Sequence, residues 1–388
     1  MQFSFTEEQK LFAESVRRFA ETRLQPRALE RAHDPCFPRD VAQEMAEQGL
    51  LGIAMPVEDG GQGGSLIDAV IAIEQVAAAC PRSADVLQAG NFGPIRTFAE
   101  YASPDQKQRF LRDLLAGRKV ISLAMSEPEA GSAVTELKTS ARKDAQGYVI
   151  NGSKVFSTHS PDADLFLVYV RFGPGVKGIG SVLVERDTPG LSIGQPSPFM
   201  SGEEWCQLYF QDCHIPAENV LLGPGGFQKQ ISGFNVERIG NASRALALGR
   251  YAFNLAREHV STRRQFGRLL CEFQGLQWKF ADMALKLEGA QLLLYRAAVN
   301  AGETGLPNPY ETAIAKAACN LAGFEVANEA VQAMGGLGYS QEALAEYCMR
   351  RTRGWMIAGG SVEILKNRIA EHIFERRFDQ RGQRAAAE

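Results

Sequence analysis

Cysteine is scarce and scattered. Cys36, Cys80, Cys206, Cys213, Cys271, Cys319 and Cys348 are odd in number and form no Cys-x-x-Cys pair. That excludes a disulfide framework and a zinc ribbon, and it is the usage expected of a reduced, cytoplasmic chain. Histidine is rarer still, five in 388 residues, with no His-x-x-x-His or His-Glu-x-x-His spacing, so no metal site is expected. No apolar run approaches the roughly 18 residues of a membrane span. The opening Met1–Lys10 has no basic stretch leading into an apolar one, so no signal peptide is expected. A net charge of -3 offers no excess of either sign for nucleic acid or an anionic membrane.

What is present is a soluble, globular composition, 45% hydrophobic and 22% charged, in a chain too long for one ordinary core. Three textures divide it. From 1 to 117 the pattern is helical: Leu11, Phe12, Val16 and Phe19 recur at three- and four-residue steps behind Thr6 and Gln9, which have capping-box spacing. The Gly60–Gly64 cluster breaks two such stretches and reads as a loop, since no strand-to-helix phosphate-binding context surrounds it.

From 118 to 230 short apolar runs alternate with Gly, Pro, Asp and Asn, as in Leu165–Phe172 and Gly180–Val184, rich in residues that suit a pleated surface. Asn151-Gly152 between two such runs predicts a hairpin turn. From 231 to 388 long apolar-periodic stretches with few breakers predict a helical bundle, its first long helix opening after a hinge at Gly233-Phe234. The tail Arg381–Glu388 is expected to fray. The fold class is therefore α+β and multi-domain: an N-terminal α-helical domain, a middle β-barrel-like domain and a C-terminal four-helix bundle.

Five motifs stand out in order. They are Ala124-Met125-Ser126-Glu127-Pro128-Glu129-Ala130-Gly131-Ser132; Val155-Phe156-Ser157-Thr158; Arg263-Arg264-Gln265-Phe266-Gly267 with Phe273-Gln274; Gln332-Ala333-Met334-Gly335-Gly336; and Gly359-Gly360-Ser361. Any one is weak. A lone Ser126 or Thr158 is most simply a strand-end hydroxyl, and a lone Arg263 a solvated charge. Together, in this order and spacing, they resemble the acyl-CoA dehydrogenase family over essentially the whole chain.

The resemblance implies a non-covalent FAD. Met125, Ser126, Gly131, Ser132, Phe156 and Thr158 would face the flavin, whose edges need hydroxyl and backbone partners. Arg263, Gln265, Phe266 and Gln274 would hold the pyrophosphate of a neighbouring subunit, the guanidinium gripping two phosphate oxygens. Gln332, Gly335 and Gly336 would take the adenosine end, with Gly360 and Ser361 completing the cofactor site. Ser132, Asn235, Arg238, Ala358 and Gly359 would meet the substrate, an acyl-CoA or acyl-carrier thioester. A homotetramer and electron transfer to an electron-transfer flavoprotein are implied as well.

In that chemistry a carboxylate takes the α-proton while a β-hydride passes to flavin N5. Many family members carry the carboxylate just before the C-terminal Gly-Thr-Ser turn, at the position read here as Ala358, whose backbone N–H would still serve the enolate oxygen. Others place it in a Glu-Arg pair on the first long helix of the last domain, which this chain has as Glu237-Arg238; Glu237 is thus the expected base. A helix-start acid beside its partner is the plainer reading of that pair. A Trp usual on the flavin strand is replaced by Phe156. Glu127–Ser132 and Ile357–Gly360 also resemble the acyl-CoA desulfinase branch, which lacks both carboxylates and uses an arginine of the N-terminal domain. Asp85 stands at that position here, with Arg82 three residues away. A non-oxidative FAD-containing lyase is the alternative expectation, and a non-catalytic FAD- or acyl-binding scaffold the third.

Overall fold

The computed structural model describes residues 4–378; the tail Arg381–Glu388 lies outside them. The first segment is helical: α1 (Glu7–Phe19), α2 (Ala28–Ala32), α3 (Arg39–Glu47), α4 (Leu66–Ala79), α5 (Ala84–Asn91), α6 (Pro94–Tyr101) and the short α7 (Pro104–Gln106) and α8 (Arg112–Leu115). The expected capping box forms, Thr6 Oγ1 accepting from the Gln9 N–H at 3.2 Å while Gln9 Oε1 accepts from the Thr6 N–H at 3.1 Å. The Gly60–Gly64 cluster is a loop, as expected.

Nine strands form one mixed sheet: β1 (Ile121–Ala124), β2 (Ser140–Lys143), β3 (Gly147–Thr158), β4 (Leu165–Arg171), β5 (Ile179–Glu185), β6 (Leu191–Ile193), β7 (Ser197–Pro198), β8 (Glu204–Pro216) and β9 (Val220–Leu222). The main path runs β6-β8-β3-β2-β4-β5-β9, with β1 parallel to β4, and no pairing among the described residues closes β6 onto β9. Strand β4 is buried on both faces. Leu165, Leu167 and Tyr169 meet the N-terminal helices, while Phe166, Val168 and Val170 fill the sheet's other core, the period of two expected of a strand.

The predicted hairpin at Asn151-Gly152 is wrong. These residues sit inside the continuous β3, where the pairing with β8 shifts between Ile150 and Gly152. Gly152 has φ 145, and a Cβ there would lie 2.6 Å from Thr139 Oγ1. Its glycine therefore serves a bulge and a close approach. The turn lies upstream, where the Asp144 carboxylate accepts from the N–H groups of Gln146 and Gly147 at 2.9 and 2.8 Å.

The last segment begins with α9 (Phe227–Thr262), 36 residues long, followed by a two-stranded hairpin, β10 (Arg264–Gln265) and β11 (Arg268–Leu269). Then come α10 (Gln274–Val299), α11 (Pro309–Met334), the short α12 (Gly336–Tyr339), α13 (Ala345–Trp355) and α14 (Val362–Ile373). Helices α9, α10, α11 and α13 form the bundle. Gly249 and Gly323 allow α9 and α11 to cross closely, since a Cβ on Gly249 would stand 2.8 Å from the Gly323 Cα. The expected hinge at Gly233-Phe234 is absent: both residues are helical, six and seven residues inside α9, and Gly233 is the contact point for Thr97 of α6. Helix α4 packs against α1, α9 and α10, so the first and last segments share one apolar core. No helix of the described residues is long and apolar enough to cross a membrane, and none of their His, Cys, Asp and Glu side chains group as a metal site would require.

Candidate active site

Because Glu237 lies ten residues inside α9, the helix-start reading of the Glu237-Arg238 pair fails. Its carboxylate is half-buried and makes no hydrogen bond or ion pair with a described residue. Burial pushes it up to about 7 against the pull of Arg244, Arg238 and Lys316. Arg238 turns the other way, donating from Nε to the Gly359 carbonyl at 3.0 Å and from its terminal nitrogen to Asn235 Oδ1 at 2.8 Å. Asn235 is itself buried.

The C-terminal turn is hung from two helices. Besides Arg238 of α9, the fully buried Lys316 of α11 donates from Nζ to the carbonyls of Trp355 and Gly360 at 3.0 and 3.2 Å. Burial, then Arg238, lowers the Lys316 ammonium to about 7. Gly359 and Gly360 both have φ in the left-handed region, 73 and 90. Ser361 caps α14, its Oγ accepting from the Ile364 N–H.

The position in this turn that faces Glu237's helix is Gly359 rather than Ala358. A Cβ on Gly359 would lie 2.6 Å from Asn241 Nδ2 and 3.2 Å from Lys316 Cε, whereas Ala358 is exposed. The Ala358 N–H, expected to serve the substrate, is taken by the Gly354 carbonyl at 3.0 Å, closing the end of α13. The N–H of Gly359 meets no described acceptor. Neither residue supplies a carboxylate.

A second group lies on the sheet. Lys154 Nζ donates to the Met125 carbonyl at 3.1 Å, and the Val155 N–H donates to the Ser126 carbonyl at 2.9 Å. Phe156, in the left-handed region at φ 57, presents an exposed ring against Trp205 of β8, centroids 4.5 Å apart. Thr158 is exposed, and its carbonyl accepts from Ser122 Oγ. The hydroxyls of Ser126, Ser132 and Thr158 bond no described residue. Gly131, Gly335 and Gly336 are open, a Cβ at each meeting nothing within 4 Å. An exposed aromatic face, free hydroxyls and open backbone suit a flavin dinucleotide.

The third group lies elsewhere. Arg263, Gln265, Phe266, Gln274 and Gln332 are all exposed, Phe266 at the tip of the β10–β11 hairpin by 93%. Arg263 follows Glu237 by 26 positions, about 39 Å along the helix axis.

Two features escaped sequence reading because their members are far apart in the chain. Glu127, inside the first motif, is buried and accepts from Lys154 Nζ at 2.8 Å and from the N–H groups of Lys138 and Thr139 at 2.6 and 2.9 Å, so it fixes the loop carrying Ser126. The other is a buried ionic cluster joining all three segments. Arg82 donates to Asp85 and Glu203 at 2.6 Å each. Arg351 also pairs with both acids, and Arg244 pairs with Asp85. Although burial opposes it, Arg351, Arg244 and Arg82 hold the Asp85 carboxyl far below its usual range. Arg82, whose proximity to the desulfinase arginine position had marked it, is spent inside this cluster.

Known proteins show the same architecture and order. Three family profiles match in succession: "Acyl-CoA dehydrogenase, N-terminal domain" over residues 6–118, "Acyl-CoA dehydrogenase, middle domain" over 122–213 and "Acyl-CoA dehydrogenase, C-terminal domain" over 225–374. The chain belongs to the acyl-CoA dehydrogenase family. It is 32% identical to the 3-sulfinopropanoyl-CoA desulfinase of Paraburkholderia xenovorans, covering 98% of this chain and 99% of that one. It is 34% identical to the short-chain specific acyl-CoA dehydrogenase of Clostridium acetobutylicum, covering 96% and 100%.

Among solved structures, butyryl-CoA dehydrogenase from Megasphaera elsdenii superposes with a TM-score of 0.89 at 31% identity, covering 96% of this chain and 100% of that one. PigA, solved with FAD and proline, superposes with a TM-score of 0.91 at 25% identity, covering 96% and 99%. The family is one of FAD-dependent oxidoreductases, and this member is a flavoenzyme whose cofactor is FAD.

Proposed function

We propose that this enzyme is an acyl-CoA dehydrogenase that desaturates the α,β bond of an acyl thioester, with Glu237 as base. The observation that carries this reading is a carboxylate without a described partner, pushed up to about 7 by burial, on the helix whose Arg238 and Asn241 border Gly359 of the C-terminal turn. Bound FAD supplies the hydride acceptor. Glu237 takes the α-proton. The Gly359 N–H hydrogen-bonds the thioester oxygen as charge builds on it, a donor that no side-chain change removes. Arg238 and Lys316 keep that N–H in place through the carbonyls of the turn. Met125, Ser126, Gly131, Ser132, Phe156 and Thr158 bind the flavin; Ser132 and Asn235 lie toward the substrate.

Assembly belongs to the same proposal. Arg263, Gln265, Phe266 and Gln274 are too distant from Glu237 in one chain to serve the same cofactor, and they hold the pyrophosphate of a neighbouring subunit. Gln332, Gly335 and Gly336 take the adenosine end, with Gly360 and Ser361 lying along the cofactor. Trp278, Leu285, Leu292 and Val299 recur every seven residues on α10 and are all exposed, an apolar stripe suited to a second copy. The enzyme is accordingly a cytoplasmic homotetramer that passes electrons to an electron-transfer flavoprotein.

A second reading rests on the missing carboxylate at Ala358 and Gly359: a lyase that releases sulfite from a sulfinated acyl thioester. Anaerobic titration with short acyl-CoA thioesters separates the two. Bleaching of the flavin supports the dehydrogenase; a flavin that stays oxidised with every thioester, together with sulfite released from 3-sulfinopropanoyl-CoA, replaces it with the lyase.

A further inference from the structure

The face of α9 that carries Glu237 continues with polar side chains. At 3.6 residues per turn, Glu237, Asn241 and Arg244 share one face of α9. Helix α5 meets that face with Asp85 and Gln88, one turn apart. Gly240 lets the two helices close, since a Cβ there would collide with Gln88 Oε1 and with the Phe92 ring. Gln88 Nε2 reaches the Glu237 carbonyl at 3.4 Å, which fixes the amide at the level of the base.

Buried polar atoms normally have partners. Here Gln88 Oε1, Asn241 Nδ2 and Arg244 Nε are buried with none. Asn241 Nδ2 also borders Gly359, so an unused donor stands next to the turn that faces the base. Formal charge is uneven in the same region. Arg82, Arg244 and Arg351 outnumber Asp85 and Glu203, while Arg238 and Lys316 flank the single carboxylate of Glu237. Cations remain in excess even with Lys316 neutral. Uncompensated buried charge is costly, and a ligand anion is the remaining source of compensation.

We infer that the acyl group is short and ends in an anionic substituent, received by Asn241 and Arg244 of α9 with Gln88 of α5 closing the site behind it. This substrate class rests on the reading above that Glu237 and Gly359 mark the thioester. It makes Asn241 and Arg244 specificity-determining residues: neither touches the reacting carbons, and both select the far end of the acyl group.

The test compares two four-carbon thioesters, butanoyl-CoA and 3-carboxypropanoyl-CoA, binding to the FAD-loaded enzyme by calorimetry. The carboxylated thioester should bind tighter by about tenfold or more, the worth of a charge-assisted hydrogen bond. In Asn241→Leu and in Arg244→Gln that preference should collapse to about twofold or less. Because Arg244 sits in the ionic cluster and its variant can fail to fold, Asn241→Leu carries the test by itself. Equal or tighter binding of butanoyl-CoA to the wild type overturns the inference, as does a preference that survives Asn241→Leu. If butanoyl-CoA bleaches the flavin and no anionic preference exists, the inference alone fails. If neither thioester binds nor perturbs the flavin, the dehydrogenase reading fails with it.

Discussion

Lys316 Nζ lies 3.2 Å from the carbonyl oxygen of Gly360, so a fully buried ammonium on α11 holds the turn that faces Glu237. Lys316→Met leaves the Gly360 carbonyl short of a donor, while the Trp355 carbonyl keeps Asn320 Nδ2, and the loss should cost about 1–3 kcal/mol of stability. It also removes a cation that pulls the Glu237 carboxyl down, so the pH midpoint of Glu237 should move up from about 7. Denaturant unfolding and the pH profile of flavin reduction check both effects. A variant unchanged in both would make Lys316 a bystander.

The protonated form of Glu237 cannot accept a proton. Flavin reduction by substrate should therefore rise with pH through about 7 and then level off. Glu237→Gln should bind FAD and thioester as the wild type does while reducing its flavin about a thousandfold more slowly. Stopped-flow absorbance across the pH range measures both. Near wild-type reduction by the variant would leave Glu237 with a structural role only.

Leu285→Lys places a charge in the middle of the exposed α10 stripe and should split the assembly, with flavin lost in step. Arg263→Ala should lower flavin retention with a smaller effect on size, since the guanidinium is charged and peripheral to the stripe. Light scattering together with the ratio of flavin to protein absorbance reads both. Flavin content that stays constant when Leu285→Lys dissociates would show that each chain holds its cofactor alone.

Glu74 of α4 gives a prediction remote from the site. Burial pushes its carboxyl up to about 7, although it accepts from the Tyr295 hydroxyl at 2.6 Å and from Gln291 Nε2 at 3.3 Å. A folded value above the unfolded one means that the folded state binds the extra proton. Stability from this group is complete below about 4.5 and declines as pH rises through about 7. Glu74→Gln should flatten that slope and leave the variant more stable than wild type above pH 7, by about 1–3 kcal/mol. Parallel urea curves at several pH values decide it, and identical slopes would refute the assignment.

Legibility in the sequence followed sequence distance. The capping box of Thr6 and Gln9 spans three residues and was readable in full. The apolar run of β4 and the helical texture after residue 231 were readable for the same local reason. Asn151-Gly152 misled because its usual local preference was overridden by Thr139, a neighbour across the sheet. The helix start was placed at Gly233 because glycine breaks helices by propensity, whereas here it admits Thr97. Ala358 and Gly359 are both expected at the substrate, and the sequence carries no mark of which N–H the turn leaves open, since that depends on the hydrogen bond from Ala358 back to Gly354. The ionic cluster left no local pattern, since Arg351 and Asp85 stand 266 residues apart.

That separation bears on how the chain reaches its native state. Arg82 and Asp85 can meet early, but Glu203, Arg244 and Arg351 come from the turn between β7 and β8 and from two helices of the last segment. Any partly docked form that dries this junction before the last segment brings Arg244 and Arg351 leaves Arg82 alone against two carboxylates in the interior, at a cost of several kcal/mol. The junction must stay wet until the final helices dock. Intermediates with two of the three segments packed are thereby disfavoured, and the cluster makes the last stage of folding one cooperative step.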